Sequence, residues 1–431
     1  MNPALRRLRW QVFVATWLSY AGFYVTRKVF AAVKGPLMER LHLDSFEVSH
    51  LWTAYLVTYM LGQFGAAALG RRYRSRTVLL VGMGVSIGCN LAIGLVLPLG
   101  PSSYVPILIL TAIHGFAQAT GWGHNVGLVA NWTRRLERGT VMAFWATCYQ
   151  LGAVAAKALA AFLFGALGLL WSFWGSSAVL AALWVLFFLF GHECPADKGV
   201  ALPPEDDAAS AAGGSGERAA DPGRFVRVVL SMGCIYFGFK FLRYALDSWS
   251  TLIMAERFAL STEQAGYCST AFDWIGFLGV LAAGPISDRW FRGGRNPVIF
   301  MMAVGCFLAT ALLSTLGLSS LLAFMVTLGL VGFMAMGPDT LLSGAAAMDA
   351  GTRRQAAAAA GVVNGVGAIG PIVQEPIIGW LKTTSGVGAV LHLLVLVTAL
   401  AALGSGIFWW SERRPRGAAV SSRGARTSAG S

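Results

Sequence analysis

Charge is what this sequence has least of: Asp, Glu, Lys and Arg make up 12% of its 431 residues, against roughly a quarter in soluble domains. Acid is scarcer than base, with 20 Asp and Glu against 33 Lys and Arg, a formal net charge of +13. A basic chain binds nucleic acid when its charge is gathered on one face. Here the basic residues stand in short clusters between apolar runs, which argues against that reading. Cysteine is sparse and scattered (Cys89, Cys148, Cys194, Cys234, Cys268, Cys306), with no Cys-x-x-Cys pair, so neither a disulfide framework nor a zinc site is indicated. His114 and His124 lack partners at metal-ligand spacing and read as polar helix residues. No phosphate-cradling loop is present; Gly82, Gly84 and Gly88 lie in an apolar run and fit no such pattern. No cofactor, metal or enzymatic constellation is expected, and direct use of ATP has no support.

What is abundant is apolar sequence, 56% of the chain. A membrane-crossing helix needs about 20 apolar residues. Twelve such runs are expected, at 10–33, 47–70, 77–99, 103–131, 139–165, 168–191, 225–254, 263–287, 297–317, 320–347, 355–381 and 386–410. Short alternating segments are absent, which argues against a membrane β-barrel. Arg6-Arg7-Leu8-Arg9 before the first run resembles the start of a signal peptide, but no small-residue cleavage site ends the run, so it reads as a retained helix. The expected fold is an all-α membrane protein of twelve helices in two pseudo-symmetric six-helix bundles.

The runs fall as six, a polar break, and six. The expected organisation is an N-terminal bundle over 1–191, a flexible cytoplasmic linker over 192–224, a C-terminal bundle over 225–411 and a disordered cytoplasmic tail over 412–431. Arginines cluster in alternate loops: Arg6, Arg7 and Arg9; Arg71, Arg72, Arg74 and Arg76; Arg134, Arg135 and Arg138; Arg289, Arg292 and Arg295; Arg353 and Arg354; Arg413, Arg414 and Arg416. The intervening loops carry few basic residues: Lys34, Arg40, Arg257 and Lys382. Basic loops stay inside, so both termini are expected in the cytoplasm of a bacterial inner-membrane protein. Glycine pairs such as Gly361 and Gly365 are expected to bring helices close.

Arg27, Lys28, Lys157, Lys240 and Arg243 lie within the expected spans, as do Asp247, Asp273, Asp339 and Glu375. Each cation costs about 2.5–3.5 kcal/mol at a helix centre, so each needs a reason. For Lys157 the alternative is a lysine that snorkels to the interface. If the acids neutralise the lysines, the arginines remain for an anion, which a guanidinium grips through two parallel hydrogen bonds. Arg27 and Arg243 occupy like positions in helices one and seven, and paired features in two halves point to a site at the repeat interface. Tyr20, Tyr24 and Arg27 share a helix face, as do Tyr55, Tyr59 and Gln63, while Lys240 shares one with Arg243. Tyr149 and Gln150 lie within helix five.

Several segments resemble the major facilitator superfamily and, within it, the organophosphate:phosphate antiporters. They are Tyr24-Val-Thr-Arg27-Lys28, Gln118 to Trp122, Trp132 to Gly139, Glu193 to Val200, Leu242 to Trp249, Gly284 to Arg289 and Gly337-Pro338. The resemblance implies that Arg27 and Arg243 hold a phosphoryl group and that Tyr20, Tyr24 and Tyr59 line the pocket. It also implies that Lys28, Asp247 and Asp273 form ion pairs that break and re-form during alternating access. Asp273 stands where the family usually has Glu, and Asp247 is offset by one position. Tyr149 stands where the glycerol-3-phosphate and hexose-phosphate importers have His, Gln63 where the glycerol-3-phosphate type has Lys, and Arg71 where the first-half loop has Asp. Lys157, Lys240 and Glu375 match no family position. The expected activity is uptake of a small phosphorylated organic anion, of the sugar phosphate, glycerol phosphate or phosphoglycerate class, in exchange for inorganic phosphate. Arg27, Arg243, Tyr20, Tyr24, Tyr59, Gln63, Tyr149 and Lys240 are the expected substrate contacts, and Lys28, Asp247, Asp273 and Glu375 the ion pairs. The chain is expected to act as a monomer, with the lipid bilayer its surroundings and no nucleic acid as partner. The alternatives are a proton-coupled carrier of another organic anion, with Asp273 or Glu375 as the protonated group, and a transporter-like sensor of sugar phosphates.

Overall fold

The computed structural model describes residues 3–133, 138–200, 222–291, 294–343 and 356–413, and among them regular structure is helical throughout. The first apolar run forms three helices end to end: α1 (Pro3–Arg27), α2 (Val29–Ala32) and α3 (Lys34–Leu41). The chain bends at Lys28 and Val33 while the bonds Lys28 N→Tyr24 O (2.9 Å) and Val33 N→Val29 O (3.0 Å) carry the ladder across. Next come α4 (Ser45–Arg72), α5 (Ser75–Val96), α6 (Tyr104–Gln118), α7 (Thr120–Asn131), α8 (Arg138–Leu167) and α9 (Leu169–Phe190). After residue 221 follow α10 (Pro222–Phe258), α11 (Thr262–Ser269), α12 (Ala271–Pro285), α13 (Arg295–Thr315), α14 (Leu321–Ser343) and α15 (Ala356–Arg413).

Local chemistry sets the ends. Asp44 accepts from the Glu47 amide (2.7 Å) and Glu47 accepts from the Asp44 amide (2.9 Å), a reciprocal cap that starts α4. Ser261 and Gln264 start α11 in the same way. Gly168, at φ 88°, separates α8 from α9, and Gly386, at φ 77°, breaks α15; a side chain is strained at both angles.

Seven stretches are long and apolar enough to cross a membrane, among the described residues. Two of them, Ser75–Asn131 and Val362–Arg413, run to 57 and 52 residues, far beyond one crossing of about 20. The first doubles back through the 3-10 turn Leu97–Ser103, so that α5 packs along α6 and α7. Its partner is divided at Gly386.

Within the first part of the chain α1 packs on α8 and α9, and α4 on α6; within the second, α10 packs on α15 and α12 on α14. The two parts meet where α4 touches α15 and α8 touches α11. Glycines set the closest approaches: a Cβ at Gly115 would fall 2.3 Å from the Tyr55 carbonyl, and one at Gly332 2.3 Å from that of Phe272. The close packing expected at Gly365 is not found among the described residues, since a Cβ there would meet none of them within 4 Å. The surroundings of Gly361, most of the 192–224 linker, Arg134, Arg135, Arg292, Arg353, Arg354 and nearly all of the tail lie outside the described residues.

The segment after α9 is tied down. Glu193 accepts from the amides of Ser75 (3.1 Å) and Arg76 (2.8 Å), the exposed donors of the α5 N-terminus. Arg76 donates to the carbonyls of Gly191 and Phe188, 2.6 Å each. Arg74 pairs with Asp197 and holds its carboxyl below the usual range.

Candidate anion site

The bend at Lys28 decides how the site is built. Arg27 ends α1 and Lys28 stands in the bend, so neighbouring cations face different partners. Arg27 is buried, and its Nε donates to Gln118 Oε1 at 3.2 Å. The guanidinium lies 4.6 Å from the Tyr24 ring centre and 5.0 Å from that of Tyr59, within the range of cation–π attraction. Its Nη2 is buried and has no hydrogen-bond partner among the described residues. Behind it Gln118 donates to Thr26 Oγ1 (3.0 Å). His114 Nε2 faces the amide nitrogens of Gln118 (3.0 Å) and Asn90 (3.3 Å), which makes it the accepting ring nitrogen.

A narrow cavity joins the two parts of the chain at this level. Tyr24, Arg27, Lys28, Tyr59, Arg243, Asp247 and Asp273 all line it, so seven of the expected residues converge. Trp52, Tyr55, Leu56, Ala153, Tyr244 and Phe272 complete the wall. Arg243 differs from Arg27 in having a carboxylate partner: its Nη1 donates to Asp339 at 2.9 Å. Asp339 thus neutralises an arginine rather than a lysine.

Lys28 pairs with Asp247 Oδ2. Lys157 lies 2.8 Å from Asp247 Oδ1, at an angle that is not a hydrogen bond, and donates to Asp273 Oδ2 at 3.0 Å. The snorkelling alternative for Lys157 is overturned, since the side chain is 1% exposed and held between two carboxylates. Gln150 donates to the Asp273 carbonyl (3.1 Å), tying α8 to α12.

The other expected contacts lie outside the cavity wall. Tyr20 packs edge-on against Tyr24 (5.7 Å) and Trp122 (5.2 Å) in an aromatic cluster. Tyr149 lies 6.0 Å from the Arg243 guanidinium. Lys240 rests over the Tyr236 ring at 4.8 Å, and no carboxylate lies within 4 Å of it among the described residues. Gln63 is half-buried on α4 with no hydrogen bond among the described residues.

Lys34 corrects the expectation that it belongs to a loop. It is buried at the start of α3, 2.6 Å from Glu375 Oε1 and 2.6 Å from Ser248 Oγ. Trp249 Nε1 donates to the other Glu375 oxygen (3.1 Å), and the Lys34 ammonium lies 3.6 Å from the Trp249 ring centre. Besides Lys34, sequence reasoning gave no role to Gln118 or Tyr244, and it named no partner for Asp339 or Lys157. An interior acid without a partner, Glu375, is the signal that points to Lys34.

Residues 12–372 match the Major Facilitator Superfamily model. The chain belongs to that superfamily. The membrane sensor protein UhpC of Salmonella typhimurium is 26% identical over 374 residues, spanning 84% of this chain and 83% of the relative. The glycerol-3-phosphate transporter of Bacillus subtilis is 26% identical over 383 residues, spanning 86% and 85%. A solved bacterial homologue of the human lysosomal transporter Spinster, inward-facing and unoccupied, superposes with a TM-score of 0.75 at 14% identity, covering 97% of this chain and all of that one. That likeness shows the fold alone; of the two curated relatives, one is a membrane sensor protein and the other a glycerol-3-phosphate transporter.

Proposed function

We propose that the chain is an alternating-access antiporter that takes up a small phosphorylated organic anion in exchange for inorganic phosphate. The observation that carries this reading is the buried Nη2 of Arg27, a residue of the cavity wall, which has no hydrogen-bond partner among the described residues. A buried donor left unmet costs about 1–3 kcal/mol, more when charged; an anion oxygen in the cavity removes that cost. Charge counting supports the same ligand. Arg27, Lys28, Lys34, Lys157, Lys240 and Arg243 meet four interior carboxylates, leaving two cations in excess. A phosphate ester carries about −1.5 to −2 at neutral pH.

In this reading Arg27 and Arg243 grip the phosphoryl group, Tyr24 and Tyr59 wall it, and Tyr149, Lys240, Gln63 and Tyr20 shape the surrounding pocket. Twelve crossings in two six-helix halves follow if the two overlong stretches each cross twice and α1–α3, α4 and α11–α12 make three more. The arginine-bearing ends then face the cytoplasm, as do both termini, with the protein a monomer in the inner membrane.

Protein reconstituted in phosphate-loaded vesicles is expected to exchange phosphate with itself and with phosphate esters. Arg27→Lys and Arg243→Lys each remove the two-pronged grip and are expected to lower exchange at least tenfold; undiminished exchange in both would sink the reading. The likeness to a membrane sensor supports a second reading, in which the same site binds sugar phosphate without net transport. Ligand-dependent stabilisation with no exchange would select it.

A further inference from the structure

The quartet beside the arginines is arranged unevenly. Lys28, Asp247 and Asp273 line the cavity, whereas Lys157 does not. Lys157 is fully buried behind both carboxylates and reaches each of them within 3.0 Å. Lys28 reaches Asp247 Oδ2 alone, and Lys157 takes the opposite oxygen, Oδ1. Asp247 therefore has two cations, one on the cavity side and one behind.

This matters when an anion enters. An ammonium at the cavity wall is drawn toward a phosphoryl group, and Lys28 stands one residue from Arg27. If Lys28 were the sole partner of Asp247, its departure would leave a buried carboxylate uncompensated, at a cost of about 3–5 kcal/mol. Such a carboxylate takes up a proton instead. With Lys157 in place Asp247 keeps a counter-ion and stays ionised.

We infer that Lys157 is a positioning residue that holds Asp247 as an anion while Lys28 moves to the substrate, so that this carboxylate carries no proton through the exchange cycle. The inference rests on the phosphate-exchange reading of the site. No bond forms or breaks: Lys28 exchanges one anionic oxygen for another, and Lys157 remains. Two lysines balance two carboxylates before the move. Around the quartet stand Arg27 and Tyr24 from α1, Tyr59 from α4, and Arg243 and Tyr244 from α10. On α8 itself Tyr149 faces Arg243, and Glu263 of α11 lies farther along, beside Gly165. None of these supplies Asp247 with a cation placed behind it.

The test is phosphate self-exchange in vesicles from pH 5.5 to 8, with each variant divided by wild type at the same pH so that the titration of phosphate cancels. Lys157→Gln is expected to exchange at acid pH and to fall by about tenfold per pH unit as pH rises, because one proton must now accompany the move of Lys28. Lys157→Arg is expected to keep the wild-type profile. A Lys157→Gln profile parallel to wild type, no exchange by this variant at any pH, or a steep Lys157→Arg profile would each overturn the inference. Wild-type protein without phosphate exchange would instead sink the reading of the site. The role of Lys157 is then read from melting of the detergent-solubilised protein. The uncompensated carboxylate in Lys157→Gln binds its proton more tightly folded than unfolded, so this variant must gain stability relative to wild type as pH falls; an unchanged difference overturns the inference there too.

Discussion

Lys34 and Glu375, 341 positions apart in the chain, form an ion pair of 2.6 Å with both side chains fully buried. The pair joins α3 to α15, and Ser248 and Trp249 of α10 complete its hydrogen bonds. Close by, Lys382 donates to Ser45 (3.1 Å) and the Phe46 amide to Thr383 (3.2 Å). These contacts close the two parts of the chain against each other at one end.

Glu375→Gln is expected to loosen that end. Removing one member of a buried pair costs about 3–5 kcal/mol, and the cost falls on the state in which the pair is closed. The population shifts toward the state open there. Spin labels or fluorophores on α3 and α15 should show a longer mean distance in Glu375→Gln. The double variant Lys34→Met with Glu375→Leu should recover most of the closed population; an unchanged distance in the single variant contradicts the assignment.

Gln118→Ala is expected to weaken substrate binding without touching substrate. Gln118 holds the Arg27 Nε at 3.2 Å, and hydrogen bonds to charged groups contribute about 1.5–3 kcal/mol. Half-saturation for phosphate should rise roughly ten- to a hundredfold, with the maximal rate changed far less. An unaltered half-saturation would mean that Arg27 is positioned by its tyrosines alone.

Asp339→Asn is expected to act in the opposite sense. Asp339 competes with an anion for Arg243. Neutralising it leaves the guanidinium free for the ligand, so half-saturation for phosphate should fall several-fold while turnover slows. Equal or weaker binding by Asp339→Asn would show that the pair orients Arg243 rather than restrains it.

Gly332→Ala tests packing under the site. The new Cβ would lie 2.3 Å from the Phe272 carbonyl, one residue before Asp273. Backbone cannot yield as a side-chain tip does, so α12 and α14 must separate, at about 1–3 kcal/mol. A lower melting temperature and slower exchange are expected together, whereas Gly365→Ala, which meets open space, should melt like wild type.

The sequence made the helices readable because apolar runs of crossing length leave few other outcomes. It made Arg27 readable for a related reason: a guanidinium inside such a run demands a purpose. Pairing was another matter. Lys34 precedes Gly35-Pro36, a dipeptide that looks like a turn, yet α3 continues through both. Its partner is 341 residues away, and no periodicity connects them. The assumption that acids neutralise lysines holds for Asp247, Asp273 and Glu375 and fails for Asp339, which took Arg243. Which carboxylate meets which cation is fixed by how α10, α12, α14 and α15 stack, and that depends on close glycine contacts such as Gly332 against Phe272. Gly365 illustrates the converse, a small residue in a small-residue pattern with no neighbour to approach.

The bend at Lys28 separates what a straight helix would weld. Arg27 is the last residue of α1, which also carries Tyr24 and packs on α8 and α9. Lys34 belongs to α3, beyond the second bend, and is fastened to Glu375 and Ser248 in the other part of the chain. The run from α1 to α3 is thus two levers on a common joint. If Arg27 grips the ligand as proposed, one lever carries that grip and the other the clasp, and Lys28 rides the joint between them, so a small swing at the ligand would be felt at the clasp without either lever having to deform.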